Sequence, residues 1–234
     1  MPDDRDIRSI DPQPPHLLWG IDSAAHAHLP FFHCVLRQYG PPDFWGRYLL
    51  TRHGICDGLS PLEIRFLHQH GIKILAIDNA FGAHTHGRMA GILAGMHALE
   101  AAKRLKIPAG TAIFADIEIT YHPDSSWMIA WAGMILQGGY RPGFYYNPRH
   151  SAFIQSFCAA SHWMPALQNA LLWSNQPQIG PKPRRQAPLW RPLQGACNQG
   201  YLAVWQHGIN GRLCGSYAPI DTNWMDYRFL SALW

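Results

Sequence analysis

Short apolar runs recur along this chain, and nearly every one stops at an acid or an amide. HLLWGIDSA (16–24), GRYLLT (46–51), IKILAIDN (72–79), TAIFADIE (111–118), RPGFYYN (141–147), ALLWSNQP (170–177), LAVWQHG (202–208) and PIDTNWMD (219–226) have the length of strands rather than helices. Helical signals lie between them. LSPLEIRFLHQHG offers Ser60 as N-cap, Pro61 at the first helical position, Glu63 closing a capping box and Gly71 beyond the end. Met89, Ile92, Met96, Leu99 and Leu105 recur at helical spacing. Asp124 caps a helix that runs to Gln137 and stops at Gly138 and Gly139, and a further helix covers about 149–160.

Eight strands alternating with helices predict parallel βαβ units, closed into a single (β/α)8 TIM-type barrel over 16–234 with a flexible tail at 1–15. The helix between the sixth and seventh strands is expected to be incomplete. In its place stands QIGPKPRRQAPLWRPLQGACNQG (178–200), rich in proline. Barrel geometry would put this stretch on the active-site face, where Arg184, Arg185 and Trp190 could meet an acidic sugar polymer. An open doubly wound sheet is the alternative fold, but no glycine-rich phosphate fingerprint follows the first strand.

In such a barrel the strand ends converge on one face. Those ends carry Asp22, Asp78, Asp116 with Glu118, Asn147, Asn175 with Gln176, Gln206, and Asp221. Residues i and i+2 of a strand share a face, so Asp116 and Glu118 point the same way as Ala112 and Phe114. Carboxylates brought together under partial burial repel one another, which raises the proton affinity of at least one. Glycoside hydrolysis uses that asymmetry: one carboxyl protonates the leaving oxygen, and another, ionised, supports the cationic transition state or activates water. Trp19, Tyr145, Tyr146, Trp173 and Trp205 lie beside the polar ends and could stack sugar rings.

Composition narrows the classes. Hydrophobic residues make up 47% and charged residues 15%, with a net charge of +4, so a large core is available and the charge is mildly basic. The densest basic run is KPRR at 182–185, too little for a nucleic-acid surface. Five cysteines without a CxxC pair argue against a zinc site, and free thiols are expected, with Cys197 and Cys214 able to pair in an oxidising compartment. No run of 18 apolar residues suggests a membrane span, and MPDDRDIRSIDPQPP has no apolar core of a signal peptide. A cytoplasmic location, or export to the periplasm or cell wall by a non-classical route, is therefore expected, as a monomer with neither cofactor nor metal. Fourteen histidines keep a metal-dependent hydrolase as a lesser alternative, with HAH at 26–28 after the first strand. The fifth and sixth strand ends, YYN and SNQ, lack the further histidines such enzymes use.

The ordered blocks WGIDSA, GIKILAIDN, IPAGTAIFADIE, GYRPGFYYN, LWSNQP, VWQHG and IDTN resemble the glycoside-hydrolase-like domain of unknown function 1906, over about residues 17–226. That family is related to the family 25 lysozymes, which are N-acetylmuramidases. The resemblance implies a glycosidase acting on peptidoglycan. Asp116 and Glu118 fit the DxE of the fourth strand, and Asp22 and Asp221 fit the flanking aspartates. Glu118 would be the general acid, Asp116 its electrostatic partner, and Asp22 and Asp221 would position substrate or water. Asp78, Tyr145, Tyr146, Asn147, Trp173, Asn175, Gln176, Trp205 and Gln206 would contact the glycan. A glycan-binding protein without turnover is the rival reading.

Overall fold

Eight strands close on one another in chain order: β1 (Leu17–Asp22), β2 (Phe44–Tyr48), β3 (Lys73–Asp78), β4 (Ala112–Asp116), β5 (Arg141–Tyr146), β6 (Leu171–Ser174), β7 (Tyr201–Gly211) and β8 (Ile220–Asp226). The computed structural model describes residues 16–195, 197 and 199–234, so the tail expected at 1–15 lies outside the described residues. Helices α1 (Leu29–Gln38), α2 (Pro61–Gln69), α3 (Arg88–Leu105), α4 (Ser125–Gln137) and α5 (Ser151–Trp163) follow β1 to β5 in turn. The closed α/β barrel is the fold the pattern predicts. The pattern passes over α1, because its N-cap is His28, a weak capping residue, rather than Ser, Thr, Asp or Asn.

The last quarter departs from the repeating plan. β7 runs parallel to β6, but β8 runs antiparallel to both β7 and β1. Only residues 212–219 join β7 to β8, and a parallel crossover needs a dozen residues or more. The chain must therefore turn back, and no helix forms there. After β8 a 3₁₀ turn, Tyr227–Ala232, takes the place of a last helix, and Ala232 and Leu233 pack into the interior of the barrel.

The barrel interior is filled by Leu18, Phe44, Leu75, Phe114, Trp173, Val204 and Met225 among others. Three strand glycines make room for it. A Cβ on Gly20 would stand 2.4 Å from the Phe44 ring, one on Gly143 would stand 2.5 Å from the Phe114 ring, and one on Gly46 would stand 2.6 Å from Asp22 Cβ. The opposite parity, with Trp19, Trp45, Ile74, Ile113 and Phe144, faces the helices.

The described residues of 178–200 leave the active-site face, where they were expected to stay. They descend from the end of β6 to the start of β7 and cover the outer faces of β7 and β8, where helices are missing. Trp205 Nε1 donates to the Pro177 carbonyl at 3.1 Å, and Trp224 Nε1 to the Pro188 carbonyl at 2.8 Å. Arg184 is paired with Asp43 at 2.9 Å and donates to the Pro41 carbonyl, tying the stretch to the foot of β2. Two disulfides add to this. Cys158–Cys197 ties the stretch to α5, and Cys34–Cys214 ties α1 to the β7–β8 connection. The expected free thiols are thus disulfide-bonded except for the buried Cys56, and Cys197 and Cys214 each have a different partner from the one considered.

Trp205 is fully buried under this covering. Trp205→Ala should destabilise the protein by about 3–5 kcal/mol, read from urea unfolding. A loss under 1 kcal/mol would mean that the covering segment does not seal the barrel wall.

Candidate active site

Asp22 ends β1, Asp116 ends β4, and both have the interior parity, so they meet where the barrel opens. Glu118 lies two residues beyond β4. Ile117 N still bonds to the Tyr145 carbonyl at 3.1 Å, which keeps the chain extended and carries Glu118 up to the rim, exposed. Asp221 reaches the same mouth differently from the sequence expectation. It is the second residue of β8, not a strand end, and the reversed direction of β8 sets it directly across from Asp22. Asp22, Asp116, Glu118 and Asp221 therefore converge at one end of the barrel.

A chain of donors fixes two of these acids. Asn175 Nδ2 donates to the Tyr145 hydroxyl at 3.0 Å, and that hydroxyl donates to Gln206 Oε1 at 2.8 Å. Gln206 Nε2 then donates to Asp22 Oδ2 and to Asp221 Oδ2, both at 3.2 Å. Asn223 Nδ2 adds a 2.7 Å bond to Asp22 and is itself oriented by Trp173 Nε1, which donates to Asn223 Oδ1 at 2.9 Å. The backbone N–H of Asn210 completes Asp221 at 2.7 Å. Tyr48, inward at the end of β2, donates to Asp116 Oδ2 at 3.5 Å.

Burial dominates the electrostatics. It pushes Asp22 from 3.8 up to about 6, against the opposing bonds from Asn223 and Gln206. It pushes Asp221 up to about 8, with the charge of Asp22 adding to the shift. Asp116 is raised well above its ordinary value by burial, then by Glu118 and Asp22. Glu118 is raised by partial desolvation of its carboxyl, although the residue as a whole is exposed at the rim. The mouth thus holds protons into the neutral range.

Behind the mouth a buried ion pair anchors the loop after β1. Arg47 Nε meets Glu63 Oε1 at 2.6 Å, and Arg47 Nη1 donates to the Ser23 carbonyl at 2.6 Å. Glu63 also accepts from Ala27 N at 2.7 Å and pairs with His26 Nδ1 at 2.8 Å. The capping box read from the sequence is therefore half present. Ser60 Oγ accepts from Glu63 N at 3.2 Å, while the Glu63 carboxylate is committed to Arg47.

The other nominated residues scatter. Asp78 has the outward parity, and its carboxylate accepts from Trp131 Nε1 of α4 at 3.0 Å, although its charge still reaches Asp116. The Tyr146 ring stacks on Phe153 at 4.4 Å in the helical layer, and its hydroxyl donates to the Gln194 carbonyl. Trp173 lies in the barrel interior beneath the mouth, 2% exposed, with no face open to a sugar. Trp205 and Trp19 face outward, fully buried. Asn147 Oδ1 caps a turn by accepting from Arg149 N at 2.9 Å, and Gln176 is half-buried, its backbone bonded to Ser174 and Leu193. Tyr48, Asn223 and Arg47 are the site residues that sequence reasoning missed. Gly46 carried the signal for Tyr48, since a strand glycine two residues earlier marks the interior parity.

The histidines of HAH serve structure: His26 pairs with Glu63, and His28 Nδ1 accepts from Phe31 N as the cap of α1. Among the described residues no group of three or more His, Cys, Asp or Glu is arranged to hold a metal ion.

Raised carboxyls tie stability to pH. For these carboxyls the folded protein binds protons more tightly than the unfolded chain, so their contribution to stability is fully present below about pH 4 and is lost as pH rises through about 6 to 8, while His207, pushed down to about 4 by burial, acts in the opposite sense. Asp116→Asn removes one of the crowded charges. Its melting temperature should exceed that of the parent by a few degrees at pH 8 and match it at pH 4. Equal melting at pH 8 would show that Asp116 carries no burial penalty.

Residues 39–225 match the family model described as Rv2525c-like, glycoside hydrolase-like domain. An uncharacterized protein of B. stearothermophilus, known from a crystal structure, is 35% identical, over 93% of this chain and 100% of its own, with a TM-score of 0.88. The Mycobacterium tuberculosis Tat-secreted protein Rv2525c, solved in complex with L-tartrate, is 17% identical over 88% of this chain and 94% of its own, with a TM-score of 0.57. The modular autolysin LytC from Streptococcus pneumoniae, in complex with a synthetic peptidoglycan ligand, is 13% identical over 89% of this chain and 46% of its own, with a TM-score of 0.52. The last two likenesses bear on the fold alone. No curated protein matches the chain. The family match takes in Asp116, Glu118 and Asp221, with Asp22 just ahead of it, and the chain belongs to the Rv2525c-like, glycoside hydrolase-like domain family.

Proposed function

We propose that this protein hydrolyses a bacterial cell-wall glycan, in the manner of a muramidase, by acid–base chemistry at the four-carboxyl mouth. The observation that carries this reading is the convergence of a rim carboxyl, Glu118, with three buried or half-buried ones, Asp22, Asp116 and Asp221. In the open protein Glu118 is the best hydrated of the four carboxyls. A glycan lying across the mouth would strip water from Glu118 and raise its proton affinity further. The proton that Asp116 holds when the site is open would then pass to Glu118. Glu118 would donate it to the leaving oxygen, and the ionised Asp116, steadied by the Tyr48 hydroxyl, would face the developing positive charge. The peptidoglycan assignment draws on the resemblance to family 25 lysozymes and on the ligand bound to LytC.

Disulfides persist in oxidising compartments, so Cys34–Cys214 and Cys158–Cys197 favour a place of action outside the cytosol. The Tat-secreted nature of Rv2525c agrees with that, and none of the described helices is long and apolar enough to cross a membrane. Thiol titration of the denatured protein should find one reactive cysteine before reduction, Cys56, and all five after it. Five thiols before reduction would return the protein to a reducing compartment.

Glu118→Gln keeps shape and hydrogen bonding but has no proton to donate. Turnover on purified peptidoglycan should fall by about 10²–10⁴-fold, with binding retained. Asp116→Asn should also slow turnover, and chelator should leave the parent unaffected. Activity that survives Glu118→Gln would sink the assignment. Binding by a parent without turnover would instead favour the glycan-binding reading.

A further inference from the structure

A second concavity opens at the far end of the barrel. Tyr201 begins β7 and pairs with Leu171 at the foot of β6, while Asp226 ends β8 opposite Leu17, the first residue of β1. Both therefore lie at the end away from the acids, a strand length or about 20 Å distant. There a cavity of about 620 Å³ is bounded by Trp190, Gln194, Tyr201, Tyr227, Arg228 and Phe229.

Its chemistry is that of a sugar platform. Tyr201 is 47% exposed and Tyr227 45%, which is unusual for rings in a chain that buries most of its aromatics. Both rings are held in place, Tyr201 against Phe229 at 5.7 Å and Tyr227 edge-on to His16 at 4.8 Å. Between them Arg228 is pre-oriented. Its Nε and Nη2 donate to the buried Asp226 carboxylate at 2.9 and 2.6 Å, while 78% of the side chain stays open to solvent. Fixed rings with flat exposed faces stack sugars, and a guanidinium locked on one edge offers its other edge to a carboxylate with little loss of freedom.

We propose that this cavity is a second glycan-binding site, for a sugar polymer bearing carboxylates, and that it holds one wall strand while the acid mouth works on another. The proposal rests on the glycan reading above and adds a site that hydrolysis does not require. Two sites on opposite ends of one rigid barrel would raise retention on an insoluble wall without any change in turnover of a short fragment.

The test is co-sedimentation of the full chain with purified peptidoglycan sacculi, beside turnover of a short soluble peptidoglycan fragment. Tyr201→Ala with Tyr227→Ala should weaken retention on sacculi by about tenfold or more, with fragment turnover and melting temperature unchanged. Should the double variant melt lower, the two single variants carry the test, since each removes a ring that is nearly half exposed. Retention of the parent on chitin, a neutral polymer, should be weaker than on sacculi, and equal retention would overturn the carboxylate assignment. Variants that bind sacculi as the parent does, or a parent that turns over fragments without binding sacculi, would overturn the second site and leave the hydrolase reading standing. Ring-dependent retention in a parent without turnover would support the site and sink the hydrolase reading alone.

Discussion

The short connection between β7 and β8 governs much of this molecule. Eight residues, 212–219, cannot carry a crossover, so β8 pairs antiparallel on both of its sides. That reversal places the start of β8, not its end, at the mouth. Asp221 becomes the cross-strand neighbour of Asp22, close enough for one amide, Gln206, to bond to both. The same short connection leaves no helix between β7 and β8. Trp205 and Trp224 would then face water, and the proline-rich stretch 178–200 exists to cover them. A single limit on chain length thus shapes both the site and the wall behind it.

Burying carboxyls is costly, and the barrel offsets the cost unevenly. Asp22 receives two amide donors and lies near the charge of Arg47. Asp116 has only a long bond from Tyr48, and burial with the nearby charges of Glu118 and Asp22 raises its proton affinity. That difference is what acid–base chemistry uses: neighbouring groups with the same intrinsic proton affinity, pushed apart by their surroundings. Gly46 belongs to the arrangement, because a side chain there would occupy the space of Asp22.

Much of the fold was legible from alternation alone. Asp116 and Glu118 share the parity of Phe114, and Phe114 is interior, so the acids of TAIFADIE do face the mouth. What alternation does not supply is its sign. β3 and β5 are apolar on both faces, so Asp78 and Tyr146 read as site residues although both face the helices. In β5 the sign was available: Gly143 is interior because Phe114 needs its space, and Tyr145 shares its parity where Tyr146 does not. β3 contains no glycine, and nothing in its sequence separates Ile74 from Leu75. Cysteine pairing was beyond reach for a related reason. Cys34 and Cys214 are 180 residues apart, and only barrel closure makes them neighbours.

The donor chain behind Asp22 and Asp221 shows how little freedom the mouth retains. Tyr145 receives from Asn175 and so directs its own proton to Gln206 Oε1, which turns the Gln206 amide so that its N–H groups meet the two aspartates. With the amide held that way, Gln206 favours negative charge on Asp22 and Asp221, against the burial that favours protons. Tyr145→Phe would release the amide without touching any acid. The aspartate pair would then lose a directed donor and hold its protons more firmly, moving the alkaline shift of Asp22 and Asp221 further upward. A hydroxyl committed to Gln206 thereby sets how many charges stand at the mouth.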